Sequence, residues 1–136
     1  MRYAIVILVA AILSGCVSRP AGPDTPTMRR IEDATRIIDY PSQRLRILTE
    51  IARQENLTLA EQEYLVNAIF MGGFSSDRAE ALVTLIRNPC CQPPTRALIR
   101  QKLKAARMVG QDQRRVLEVL RQVEAREEDA HPPIER

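Results

Sequence analysis

From Thr25 onward, apolar residues recur three and four positions apart, the spacing that gathers side chains on one face of an α-helix. Met28, Ile31, Ala34 and Ile38 form the first stripe. Thr25 supplies an N-cap there, and Pro26 sits where proline is favoured, at the first helical position. Tyr40-Pro41-Ser42 interrupts the stripe, because a residue preceding proline avoids the helical region. Leu45, Leu48, Ile51 and Ala52 form the second stripe, followed by a turn at Asn56-Leu57-Thr58. Thr58-Leu59-Ala60-Glu61 predicts a capping box at the start of a third helix, with Leu65, Ala68 and Ile69 inward. Gly72-Gly73 ends it. Ser76 or Asp77 is the expected cap of a fourth helix with Ala81, Leu82, Leu85 and Ile86 as its stripe, stopped by Asn88-Pro89. Pro93-Pro94-Thr95 opens a fifth helix with Leu98, Ile99 and Leu103 inward, which Gly110 ends. Asp112 is the expected cap of a sixth, with Val116, Leu117 and Leu120. The fold class expected is all-α: about six short helices over residues 25–126. Residues 127–136 are acidic and contain proline, and read as a disordered tail.

The chain also resembles itself. Shifted by about 34 residues, Tyr40 falls on Phe74, Ser42 on Ser76, Arg44 on Arg78, Leu48 on Leu82 and Ile51 on Leu85. Ile31 falls on Leu65 and then on Ile99, and Leu57 falls on Cys91. With one residue more, Asp77, Leu82 and Leu85 fall on Asp112, Leu117 and Leu120. This predicts three helix-turn-helix units stacked in series, each too small to bury its apolar face alone. A plain bundle of amphipathic helices is the alternative. The period is that of tetratricopeptide repeats, whose Trp, Gly and Tyr signature is absent. Phe74-Ser75-Ser76-Asp77-Arg78 and the Asn56-Leu57-Thr58 cap resemble bacterial α-helical hairpin-repeat lipoproteins over residues 40–90, a resemblance that implies no activity.

The start of the chain has a different pattern. Arg2 precedes an unbroken apolar run from Tyr3 to Leu13, closed by Leu13-Ser14-Gly15-Cys16. A charged start, a short apolar core and small residues before a cut describe a secretory signal peptide over residues 1–15. The run is shorter than the about 20 residues a membrane span needs. Its last four residues resemble the lipobox of bacterial lipoproteins. That resemblance implies cleavage before Cys16, a diacylglycerol on its thiol and an acyl chain such as palmitate on its new amine. Residues 16–24, rich in Pro, Gly and Ser, then form a tether of roughly 25 Å when extended. Val17, where an Asp would imply retention at the inner membrane, implies the outer membrane facing the periplasm.

Composition limits the chemistry. One mature domain fits the 136 residues. Trp is absent and the formal charge is +3, too mild to argue for nucleic acid. The only histidine, His131, lies beside Pro132-Pro133 and is a poor candidate base for a nucleophilic triad. Gly72-Gly73 lacks the Lys of a phosphate loop, and no Cys/His spacing suits a metal. The expectation is no enzyme, no cofactor and no small-molecule substrate. Cys90-Cys91 is the unusual spot: a small apolar residue tucked under a turn, a strained vicinal disulfide, or a bridge to a partner. Glu50 is expected to pair with Arg46 and Arg53 along its own helix.

Positive charge gathers late in the chain. Arg96, Arg100, Lys104 and Arg107 lie within one stripe of the fifth helix, and Arg114, Arg115 and Arg121 follow, opposed over that stretch by Asp112 and Glu118. Either this is a solvated face, or it docks an anionic partner such as lipid phosphates. The function expected is that of a lipid-anchored, non-enzymatic adaptor or scaffold for another envelope protein. The alternatives are a pilotin-like escort of a secretion component and an enzyme with an unrecognised site.

Overall fold

The computed structural model describes residues 24–132. The leader, Cys16 and most of the tether lie outside the described residues. Six helices follow in order: α1 (Pro26–Ile37), α2 (Pro41–Ala52), α3 (Leu59–Phe70), α4 (Ser75–Arg87), α5 (Pro93–Ala105) and α6 (Gly110–Ala130). The described part is all-α. Helices α1, α3 and α5 pack side by side in one layer, and α2, α4 and α6 in the other, so three antiparallel hairpins stack in register. The chain is helical-repeat-like in the sense its self-similarity predicts.

The apolar stripes meet between the two layers. Ile31, Leu45, Leu48, Ile51, Leu65, Ile69, Leu82, Leu85, Ile99 and Leu120 are almost fully buried. Fully burying one such side chain is worth about 1.5–3 kcal/mol. Among the described residues, the buried residues of the continuous core cluster run from Ile31 to Leu120.

The layered stack has two edges. One carries the turns inside hairpins (residues 38–40, 71–74 and 106–109), and the other carries the turns between hairpins. The two edges are built differently. On the between-hairpin edge, side chains cap α1 and α3, whereas Gln92 at the start of α5 makes no side-chain cap. Thr25 Oγ1 accepts from Met28 N at 3.1 Å. Thr58 Oγ1 accepts from Glu61 N at 3.2 Å, and Glu61 Oε2 accepts from Thr58 N at 2.9 Å, the reciprocal pair of a capping box. Asn56, at φ 63°, takes the left-handed turn that asparagine tolerates. On the within-hairpin edge the N-caps of α2, α4 and α6 are Tyr40, Phe74 and Val109, none of which makes a side-chain cap. Ser76, Asp77 and Asp112 thus lie inside their helices rather than capping them.

Helix α6 runs to Ala130, so residues 127–130, expected to be a tail, are helical. Beyond Leu120 its residues are largely exposed. Val123 still packs against the core there, and Glu124 and Glu127 pair with Arg100 and Arg96 of α5. Glu50 likewise pairs across helices, with Arg30 of α1 at 3.7 Å, rather than with Arg46 or Arg53.

Candidate functional site

The between-hairpin edge concentrates polar side chains. Gln62, fully buried on α3, uses its whole amide. Its Nε2 donates to Leu57 O at 2.8 Å and to Cys90 O at 2.7 Å, and its Oε1 accepts from Gln92 N at 3.0 Å and Thr95 Oγ1 at 2.7 Å. Asn88 ties the neighbouring turn: its Nδ2 donates to Ala52 O and Gln54 O, both at 2.8 Å, and its Oδ1 accepts from Cys90 N at 3.1 Å. Two successive turns are thereby joined by carbonyls that helix ends would otherwise leave unpaired.

Cys90 and Cys91 sit in this network as free thiols. Cys90 is half-buried, with Sγ 3.9 Å from Gln54 O. Cys91 joins the apolar core at the position Leu57 occupies one hairpin earlier, and both are buried. Burial pushes the Cys91 thiol up to about 11, against the pull of nearby Arg96. A nucleophilic cysteine needs the opposite shift.

Arg96, expected on an outward basic stripe, is buried at 3% exposure. Its Nη1 donates to Cys91 O at 2.9 Å and its Nη2 to Glu127 Oε2 of α6. Arg100, half-buried, pairs with Glu124 of the same helix. Arg115 pairs with Glu80 of α4 at 3.3 Å. The α5–α6 hairpin runs antiparallel, which brings Glu124 and Glu127 opposite Arg100 and Arg96. Sequence reasoning assigned Glu127 to a tail and weighed only Asp112 and Glu118 against the cations, so it missed these partners. The stripe is divided accordingly. Arg96 and Arg100 are structural, whereas Lys104, Arg107 and Arg114 are exposed at the within-hairpin edge. His131 caps the end of α6 through its backbone N–H and is exposed.

A groove of mixed chemistry lies between α2 and α4. It encloses about 420 Å³ and is lined by Leu45, Arg46, Glu50, Arg53, Asp77 and Glu80, among others. Its side chains alternate in sign over an apolar floor. A second depression of about 710 Å³ lies by the between-hairpin turns, at Arg53, Asn56, Arg87 and Cys90. Among the described residues no cluster of His, Cys, Asp and Glu could hold a metal ion, and no helix is long and apolar enough to cross a membrane. No protein-family model matches the chain, and neither a curated protein nor a solved structure matches it.

Proposed function

We propose that the chain is a lipid-anchored protein of the bacterial cell envelope. Lipidated Cys16 holds it on the outer membrane facing the periplasm, and its hairpin stack serves as a non-enzymatic scaffold for another envelope protein. The observation that carries this reading is the leader ending Leu13-Ser14-Gly15-Cys16 in front of a rigid stack of hairpins. Two or more acyl chains give stable anchoring where one is marginal. The α2–α4 groove suits a partner segment with charges of both signs. Arg46 and Arg53 offer cations, Asp77 and Glu80 offer carboxylates, and Leu45 lies at the base. Charges arranged this way select a partner more than they add affinity.

The test is photocrosslinking in cells, with the crosslinking residue at Ser42 on the groove rim. The scaffold reading expects a discrete envelope protein captured from that position, lost when Arg46→Glu and Arg53→Glu reverse the groove's cations. Capture that is indifferent to the reversal, or a Cys16→Ser chain that is still cut before residue 16 and stays in the membrane fraction, contradicts it.

A further inference from the structure

The large apolar side chains that the described residues leave exposed fall at one repeated position. They are Ile37, Tyr40, Met71, Phe74 and Val109, between 62% and 75% exposed. Tyr40, Phe74 and Val109 are the N-caps of α2, α4 and α6, and Ile37 and Met71 stand three residues before the first two. All five therefore lie on the within-hairpin edge.

The turns that carry them adjoin. A Cβ on Gly73 would come within 2.4 Å of Leu45 Cδ1 and 3.7 Å of Pro41 Cβ, so the second turn rests on the first hairpin. Val109 N donates to Ser75 Oγ at 2.9 Å, joining the third turn to the second. The result is a row of single apolar side chains projecting from one edge, not a groove that encloses a ligand.

Folding does not explain the row. N-caps favour Ser, Thr, Asp and Asn, whose oxygens close the helix end, and replacing them by apolar residues costs about 1 kcal/mol each. The opposite edge follows that rule with Thr25 and Thr58 and departs from it once, at the polar Gln92 of α5. This edge departs from it three times, each time with an apolar residue in water.

The same edge carries cations. Lys104 and Arg107 are exposed at the third turn, Arg114 is exposed just beyond it, and Lys102 Nζ lies 6.0 Å from the Phe70 ring at the end of α3. Asp39, Asp77 and Asp112 are the acidic residues of this edge. A second copy meeting the row in parallel would bring Lys104 and Arg107 against their like, which disfavours that arrangement. Apolar tips, an interfacial Tyr and flanking basic side chains together match a bilayer surface with anionic headgroups.

We propose that the within-hairpin edge docks on an anionic phospholipid surface, its apolar tips entering the headgroup boundary and Lys104 and Arg107 meeting lipid phosphates. The idea deepens the anchored-scaffold reading, because an extended tether of roughly 25 Å exceeds the ~18 Å length of α1 and lets that edge return to the membrane. The edge-down domain would bring the Ser42 and Asp77 end of the α2–α4 groove to the membrane and leave its Arg53 end free.

The test uses the chain from Val17 to Arg136, which lacks Cys16, so its outcome does not depend on the lipid anchor. The probe is cosedimentation with vesicles of equal phosphatidylcholine and phosphatidylglycerol, set against phosphatidylcholine alone. The expected result is binding to the anionic vesicles at low salt that weakens as salt rises. The Lys104→Gln/Arg107→Gln domain should bind roughly 30-fold more weakly. The Met71→Ser/Phe74→Ser domain should lose at least roughly tenfold while keeping its helical circular dichroism. No binding at low salt, or binding unchanged in both double variants, overturns the proposal. So does a domain that dimerises through the row, with Met71→Ser/Phe74→Ser restoring monomers, which would give the edge to a second copy.

Discussion

Gln62 and Arg96 hold the same place in successive hairpins and make the same bond. Gln62 Nε2 donates to Leu57 O, and Arg96 Nη1 donates to Cys91 O, each reaching the carbonyl five residues back. Both side chains are buried and both close the turn ahead of their helix. Arg44 and Arg78 do a similar job at the other edge, with Arg44 Nη2 donating to Ile38 O at 2.9 Å and Arg78 Nη2 to Gly73 O at 2.8 Å. The repeat is therefore one of polar connections as well as of core positions, which a bundle of unrelated amphipathic helices would not share.

Arg96 differs from Gln62 in carrying charge, and Glu127 answers it. Arg96→Ala should destabilise the domain by about 3 kcal/mol, since it removes a buried guanidinium and leaves Cys91 O unpaired. Glu127→Gln should cost less, about 1 kcal/mol, because that carboxylate is half exposed. Urea melts of the three proteins check the order. Equal stability of Arg96→Ala and the parent would remove Arg96 from the framework.

The helices themselves were legible because apolar spacing reports burial, and Leu45, Leu48, Leu82 and Leu85 lie where their stripes put them. The Thr58–Glu61 box was legible because it is local. What failed involved residues whose partners are distant in sequence or whose role lies outside the fold. Arg96 looked like a surface cation because its carboxylate stands at the far end of the next helix. Tyr40 and Phe74 align with each other in the repeat, but alignment does not tell burial from exposure, and both are exposed. Ser76, Asp77 and Asp112 have the chemistry of good caps, yet Phe74 and Val109 occupy the N-caps of α4 and α6.

Gly73 and Gly72 should behave as opposites. Gly73 sits at φ +100°, and an added Cβ would meet Leu45 at 2.4 Å, whereas one on Gly72 finds its nearest neighbour, Arg44 Nη1, at 4.0 Å. Gly73→Ala should lower stability by about 2 kcal/mol through backbone strain and overlap, and Gly72→Ala should change it by under about 0.5 kcal/mol. Thermal denaturation of the pair distinguishes them, and equal melting temperatures would contradict the turn geometry.

The two turn cysteines should react unequally. Cys91 is buried with its thiol raised to about 11, so at neutral pH it presents almost no thiolate. Cys90 is half-buried at the turn surface. Maleimide labelling of the native protein should modify Cys90 first and leave Cys91 until denaturant is added. Fast native labelling of Cys91 would show that its site is open.

Glu61 links stability to pH. Burial pushes its carboxyl up, but the Thr58 backbone N–H and the hydroxyls of Thr25, Thr58 and Thr27 together outweigh it, and the group lies below its ordinary 4.5. A depressed folded value stabilises the protein above the unfolded value, and that contribution is lost as pH falls through the folded one. Glu61→Gln keeps an acceptor for the box but removes the charge beside the α3 N-terminus. The parent should exceed Glu61→Gln in stability at pH 7, and the gap should close in acid. A gap that stays constant with pH would contradict the ionised cap.

The most direct measurement of the central claim is intact mass and N-terminal peptide analysis of the protein extracted from bacterial envelopes. The account predicts a chain beginning at Cys16, with a diacylglyceryl thioether on its sulfur and an acyl group on its amine. A chain that retains Met1, or one beginning elsewhere with an unmodified Cys16, would contradict it.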